Sequence, residues 1–500
     1  MTQLETRPPP AAEESLSDLS EDARSARFQQ LQVRMPAVWD LWRRNVEDES
    51  VVVIPSVSLS KAVAGSGSLA QAFEERFLFL LLLLRQPRLR MIYVTSRPID
   101  PQIIEYYLAL LPGVIPSHAL ARLTLLAVDD SSDRPLSEKL LERPRLLAKI
   151  AARIPNRNHC HLIPYNTTSL ERDIALTLGI PMYGADPRLA ELGTKTGCRR
   201  LFAEENVPHP LGAEDLYSLD DITDAILEML AKRPTMTEVI VKLNEGVSGA
   251  GNALVDLRGI AGLAETERRA EVLQRVRSMQ LESETTPFEA YLAKFTTDGG
   301  IVEERIVGED LLSPSVQLRV LPDGSVELLS THDQLLGGAS GQSYLGCCFP
   351  ADPAYSRLIS EPAKIVGKRL AREGALGRFA LDFVVMRDAD NNWSPYAIEI
   401  NLRKGGTTHP FLTLQFLTDG GYDGDSGRFL TPDGNEKHLV ATDHLEADDL
   451  RALSVGDLFD VVARHGLHFD QSRQVGIVFH MISSLSEFGR IGMTAVGDTP

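Results

Sequence analysis

Basic charge is what this 500-residue chain has least of relative to its opposite: 51 Lys and Arg stand against 69 Asp and Glu, a formal net charge of −18. Phosphate backbones need clustered cations, so a nucleic-acid partner is excluded. The acidity is spread along the chain and reads as solubility rather than as an interaction tail. Cysteine is scarce too. Cys160, Cys198, Cys347 and Cys348 are too few and too scattered for a disulfide framework, and without a CxxC pair structural zinc is not expected. A reduced, cytoplasmic compartment is the default. The N-terminus offers Glu, Pro and Ser instead of a basic flank and an apolar stretch, so no signal peptide is read there. The most membrane-like run, Phe77 to Leu84, holds eight apolar residues closed by Arg76 and Arg85. Spanning a bilayer takes roughly 20, so the run predicts a helix buried on all sides and no membrane partner.

At 43% apolar and 24% charged, the remainder is ordinary globular composition, and its length calls for two to four domains. Residues 1 to about 25, rich in Pro, Glu, Ser and Ala, predict a disordered tail. Strands and helices then alternate to about 185. Val51–Ile54, Met91–Thr95 and Leu123–Val128 read as strands, and Leu69–Arg85, Ile103–Leu111 and Pro135–Ala152 as helices. Alternation at this spacing implies a parallel sheet covered on both faces, a Rossmann-like α/β domain over 26–185. Inside it Gly65-Ser-Gly67-Ser-Leu-Ala70 fits GxGxxA, but some ten residues separate it from the preceding strand and the segment from Arg85 to Arg90 is basic. A dinucleotide fingerprint needs the reverse of both features, so a loop is expected and a dehydrogenase is the outside reading. From 186 to 415, longer helices, hairpins and glycine clusters indicate an α+β domain. A last α/β piece covers 416–500, with Val475–Phe479 as a strand.

The segment richest in chemistry runs from Phe379 to Asn401, two alternating halves joined by the turn residues Asp388 to Asn392. With Asp390 and Asn391 as the central pair of that turn, Asp382 lies directly opposite Glu399, and Asn401 falls two residues on along the same face. Adjacent carboxylates repel unless a proton or cation lies between them. A hard cation such as Mg²⁺ fits, held by one or two carboxylates plus nucleotide phosphates; the alternative is a solvated edge hairpin. Arg403 follows, where it could steady a phosphoryl oxygen or a tetrahedral charge, or else sit on the surface of a glycine loop. Upstream, the strand Glu238–Lys242 ends in a lysine and leads into Gly246, Ser248, Gly249 and Gly251, small residues whose N–H groups can approach phosphate closely. No GK[ST] closes this loop, so it is not a Walker A motif. Lys195 opens a helix after Thr194. Glu303 and Glu304 sit in an apolar strand that could line an adenine and ribose pocket. His332, Asp333 and Gln334 are placed either near the nucleotide or in polar core packing. Cys347 and Cys348 read as structural thiols.

The order of these pieces resembles the ATP-grasp superfamily over roughly 185–415. A helix lysine comes first, then a strand lysine with a glycine loop, an acidic hinge strand, and Asp…Glu-x-Asn with an Arg beyond. More narrowly, Ser313–Arg319, Ser330–Gln334, Ser340–Gln342 and Glu399–Pro410 look like the pheganomycin-type ATP-grasp peptide ligases, with a pre-ATP-grasp domain and a family-specific C-terminal domain. That resemblance implies ATP and Mg²⁺ as cofactors. Lys195 and Lys242 would contact phosphates under a loop containing Gly246, Ser248, Gly249 and Gly251; Asp382, Glu399 and Asn401 would bind metal. Arg403 would be catalytic. A ribose-binding Glu is absent from Ser313-Pro-Ser315, where the superfamily often has one, so Glu303 or Glu304 would take that role. The implied activity joins a small-molecule or peptide carboxylate to an amine through an acylphosphate. A kinase, a thiol-forming ligase or a non-catalytic regulator would share the nucleotide residues, and a homodimer is compatible with all of them.

Overall fold

A computed structural model describes residues 16–45, 47–58, 68–110, 114–246, 251–283, 286–308, 310–337 and 343–500 of the chain. Of the expected tail, residues 1–15 lie outside these. The remainder departs from expectation: Glu21–Gln32 is a helix capped by the Ser20 hydroxyl, with Phe28 buried beneath it. Its Glu21 pairs with Arg172 and its Arg24 with Asp173, so tertiary ion pairs hold a segment whose composition alone could not. The GxGxxA glycines, Gly65 and Gly67, also lie outside the described residues.

The alternating region forms the anticipated parallel sheet. Its strands are β1 (Glu49–Ile54), β2 (Leu89–Thr95), β3 (Leu123–Ala127) and β4 (Cys160–Pro164), in the order β3-β2-β1-β4. β1 is buried at every position, as a strand covered on both faces must be. Two helices differ from expectation. The stretch from 135 to 152 is two helices, Leu136–Leu141 and Pro144–Ala151, because Arg143 precedes a proline and leaves the helical region (φ −118°, ψ 70°). The apolar run is an α-helix, Ser68–Glu75, followed after a turn by a separate 3₁₀ helix, Leu78–Arg85. Leu78 to Leu84 are all buried, in one hydrophobic cluster with Phe411, Leu414, Phe479 and Ile482 from the far end of the chain. Among the described residues no helix is long and apolar enough to cross a membrane.

A five-stranded antiparallel sheet follows, β5 (Gly212–Leu216), β6 (Glu238–Leu243), β7 (Asn252–Asp256), β8 (Gln280–Leu281) and β9 (Gly300–Glu304), ordered β5-β9-β6-β7-β8. The remaining large sheet has nine strands. β10 (Asp310–Leu312), β11 (Pro314–Val320), β12 (Val326–Gly337), β13 (Ser343–Phe349), β14 (Gly377–Arg387) and β15 (Trp393–Asn401) belong to it. β16 (Gly421–Asp423) and β17 (Arg428–Leu430) make a small separate hairpin. β18 (His438–Glu446), β19 (Gly476–His480) and β20 (Arg490–Gly497) then rejoin the nine-stranded sheet through β13. The C-terminal strands are therefore hydrogen-bonded to the sheet that carries the β14–β15 hairpin. The helix Pro353–Arg372 packs against that sheet, burying Tyr355, Ile359, Val366 and Leu370 with Val316, Leu318 and Phe379.

Candidate active site

The β14–β15 hairpin sets Asp382 opposite Glu399, as the sequence predicts, but by a different turn. Arg387 pairs with Trp393, so Asp390 alone is the apex and the register near the turn is one residue off the expected one. A bulge beside Asp382 and Phe383 absorbs the extra residue, Ile398, and restores the pairing. The row continues across the sheet. Asp382 is also paired with Ser315 on β11, which is paired with His332 on β12. Four polar residues thus line one face across four strands.

Asp382 accepts hydrogen bonds from Gln334 Nε2 (3.0 Å), Asn401 Nδ2 (3.0 Å) and the Ser315 hydroxyl. The Asn401 amide, donating through its nitrogen, keeps its oxygen for another partner. Lys195 meets Glu399 in a close ion pair. Burial opposes the Lys195 charge, but the adjoining Glu399 outweighs it and holds the ammonium above the usual lysine range. Glu399 is likewise disfavoured by burial, yet Lys195 and then Arg403 bring it below the usual carboxylate range. Asp382 has no lysine of its own, and burial followed by the charge of Glu399 pushes it up to about 6. One carboxylate is held ionised and its neighbour resists ionisation. A cation placed between them would relieve both, so the donor set of two carboxylates and an amide oxygen fits a hard ion such as Mg²⁺.

Lys195 starts the helix Lys195–Glu204, capped by the Thr194 hydroxyl on Gly197 N (3.0 Å). Asn244, just past β6, ties that helix start to the glycine loop. Its carbonyl accepts from Lys195 N (3.2 Å) and its Oδ1 from Thr196 N (3.1 Å). Lys242 on β6 pairs closely with Glu303 on β9, whose other oxygen lies 3.5 Å from Arg199. Glu304 faces the opposite way and pairs with the exposed Arg233. The strand alternation that buries Glu303 beside Lys242 turns Glu304 out. Of the two acids on this strand, Glu303 therefore faces Lys242 and Glu304 faces Arg233. Leu243 N donates to Gly251 O (3.0 Å), closing the base of the glycine loop, and the position of a Cβ on Gly246 would lie 3.5 Å from Gly251 N. Ser248 and Gly249 lie outside the described residues.

These elements enclose a cleft of about 570 Å³ whose lining includes Lys195, Gly246, Gly251, Glu399, Asn401 and Arg403. Asn166 and Thr167, just beyond β4, and Lys294 on the helix Phe288–Asp298 line it as well. Nothing in the sequence marks these three, since a loop after a parallel strand and a lysine on an amphipathic helix look alike everywhere. Lys404, next to Arg403, leaves the cleft. Its ammonium donates to Pro164 O (2.5 Å) at the end of β4, and burial pushes its pKa down to about 7. Asp333 bonds the Tyr355 hydroxyl (2.7 Å) and Asp352 N (3.0 Å), so of the three residues 332–334 only Gln334 hydrogen-bonds a member of the carboxylate pair. Burial pushes the Cys347 thiol up to about 12, in line with a structural role.

The family profile described as "IQCH-like, ATP-grasp" matches residues 187–285 and 266–424, and that of the "PGM1 C-terminal domain" matches 457–500. The chain is 27% identical over 435 residues to the L-propargylglycine–L-glutamate ligase of Streptantibioticus cattleyicolor, covering 85% of this chain and 86% of that protein. It is 24% identical over 448 residues to the IQ motif-containing protein H of Danio rerio, covering 80% of this chain but 42% of that longer protein. Among solved structures, the biotin carboxylase domain of the Hydrogenobacter thermophilus 2-oxoglutarate carboxylase, crystallised with MgADP, ADP and bicarbonate, superposes with a TM-score of 0.52 at 13% identity. That match covers 90% of this chain and 86% of that one, and is a likeness of fold.

Proposed function

From the premise that residues 187–424 are an ATP-grasp module, we propose that this protein is an ATP- and Mg²⁺-dependent ligase that joins a carboxylate to an amine. The observation that carries the reading is the shared cleft. Glu399 and Asn401 lie in it beside Lys195 and Arg403, and Asp382 is bonded to Asn401 from behind. A relative that ligates L-propargylglycine with L-glutamate makes amino acids and short peptides the first substrates to test.

Asp382, Glu399 and Asn401 are the residues that would hold the ion, which when bound neutralises charge on the phosphoryl group being transferred. Lys195 and Lys242 now rest on Glu399 and Glu303; in this reading each turns toward phosphate oxygens as those acids take up other partners. Gly246 and Gly251, at the two ends of the loop, let backbone N–H groups approach the phosphates. The γ-phosphoryl passes from ATP to a carboxylate oxygen of the acid substrate and ADP leaves. The amine then attacks the acyl carbon, phosphate departs with the bonding pair, and the amide nitrogen loses a proton. Arg403, which lines the same cleft, is the residue assigned to stabilise the acylphosphate and the tetrahedral oxyanion. Glu303, whose Oε2 has no hydrogen-bond partner and lies 3.5 Å from Arg199, is the acid we assign to a ribose hydroxyl. Glu304 is assigned no ligand.

The test is to incubate the protein with ATP, Mg²⁺ and pooled amino acids and dipeptides, reading ADP release and product masses together. Condensed masses appearing only with both an acid and an amine, with ADP in equal amount, are expected. ADP release with a phosphorylated product and no amine dependence would make the protein a kinase and overturn the reading.

A further inference from the structure

Away from the cleft, the side chains of His409, Asp443 and His480 converge in the interior, all three buried. They come from the helix Thr408–Thr418, from β18 and from the end of β19. His480 Nε2 lies 2.7 Å from Asp443 Oδ1, His409 Nε2 lies 3.0 Å from His480 Nε2, and His409 Nε2 lies 3.4 Å from the same Asp443 oxygen. From this triangle we propose that His409, Asp443 and His480 form a structural site for a zinc-type divalent transition-metal ion.

Hydrogen bonds alone cannot satisfy the triangle. If His480 Nε2–H donates to Asp443, that nitrogen has no lone pair left for His409. A proton on His409 Nε2 then faces another N–H, and a lone pair there finds no donor of its own. One edge is therefore unfavourable in every tautomer, whereas a single cation takes a lone pair from all three atoms at once.

Two further features hold the donors in this arrangement. Arg76 Nη1 binds the other Asp443 oxygen at 2.7 Å, which directs Oδ1 at the imidazoles in the manner of groups that orient metal-binding carboxylates. A Cβ on Gly492 would lie 2.2 Å from both Cδ2 and Nε2 of His480, so the ring sits in space that only glycine leaves. Two imidazoles and one carboxylate oxygen suit zinc and its neighbours better than Mg²⁺, which prefers all-oxygen surroundings. The sequence has no CxxC pair to hold zinc, and these donors use no cysteine. Arg76 adds a positive charge next to the ion, so affinity is expected to be moderate. The ion would cross-link the helix that follows the Arg403 loop to two C-terminal strands, steadying the loop from behind. This inference is independent of the ligase reading.

The test uses full-length protein stripped of metal and titrated with Co²⁺ without nucleotide. One equivalent giving the intense visible bands of a nitrogen-bound ion of low coordination number, and displaced by Zn²⁺, is the expected result. His480→Gln should weaken Zn²⁺ binding at least about tenfold. Glu399→Gln should leave the spectrum intact, which separates this site from the Mg²⁺ site. Should His480→Gln fail to fold, the zinc-loaded wild type still decides the matter. o-Phenanthroline, but not its non-chelating meta isomer, should lower its Tm. Absence of a stoichiometric Co²⁺ spectrum together with no chelator-dependent Tm shift would overturn the proposal and leave a hydrogen-bonded clamp.

Discussion

Two buried charge clusters in this protein are built from similar materials and behave differently. Lys195–Glu399 is an ion pair lining the cleft, with the buried Lys242–Glu303 pair and the acid Asp382 close enough to act on its charges. Around Asp443, by contrast, one carboxylate faces an arginine and two imidazoles, all of them buried. The first cluster reaches a 570 Å³ cleft through Lys195 and Glu399, so that pair can exchange for a substrate; the second is enclosed, so it has room for a small ion and not for a substrate. Charge that is unbalanced and accessible points to a substrate, and charge that is balanced and enclosed points to architecture. Lys404 stands between the two, next to Arg403 yet buried against the parallel sheet.

Removing Glu399's charge should produce the largest effect. Glu399→Gln is expected to lower turnover by roughly three orders of magnitude, since a metal ligand contributes several kcal/mol of charge stabilisation. Its thermal stability should fall only modestly, because the Lys195 left without its partner lines an open cleft that water can enter. Steady-state ADP release and a melting curve check both halves; a large fall in Tm would erase the contrast with the sealed cluster. Arg76→Ala should do the opposite, costing about 3 kcal/mol of stability by leaving Asp443 buried without its cation. Denaturant unfolding reads that loss, and an unchanged midpoint would show that the imidazoles alone suffice for Asp443.

The smallest effect concerns Lys404 and depends on pH. Its pKa is near 7 in the fold against about 10.5 when unfolded, so between those values the unfolded chain binds more protons and stability rises with pH. Below about pH 7 the fold must carry the buried charge in full. Lys404→Met removes that burden, so mutant minus wild-type stability should be greater near pH 6 than near pH 9, by about 2 kcal/mol. A difference independent of pH would mean that the ammonium is solvated, placing Lys404 with the cleft after all.

The same contrast explains what could be read in advance. Asp382, Glu399 and Asn401 belong to one hairpin, and the two-residue period of a strand places them on one face whatever surrounds them. Even the misjudged turn did no harm, because the bulge at Ile398 compensated for it. Glu303 and Glu304 were adjacent, and the same period that helped elsewhere should have separated them. Asn166, Thr167 and Lys294 reach the cleft only because three parts of the chain pack together. Arg76, His409, Asp443 and His480 are drawn from four segments hundreds of residues apart in the extreme case, with no local spacing to connect them.

By itself, then, the order of residues determined the parallel sheet, the strand-borne lysine and the alternating acids, since each follows from the periodicity of a single local element. Tertiary packing alone decided which acid lies beside which lysine, how the C-terminal strands join the central sheet and where the histidines meet. Those outcomes depend on burial and on contacts between distant segments, and neither is a property of neighbouring residues.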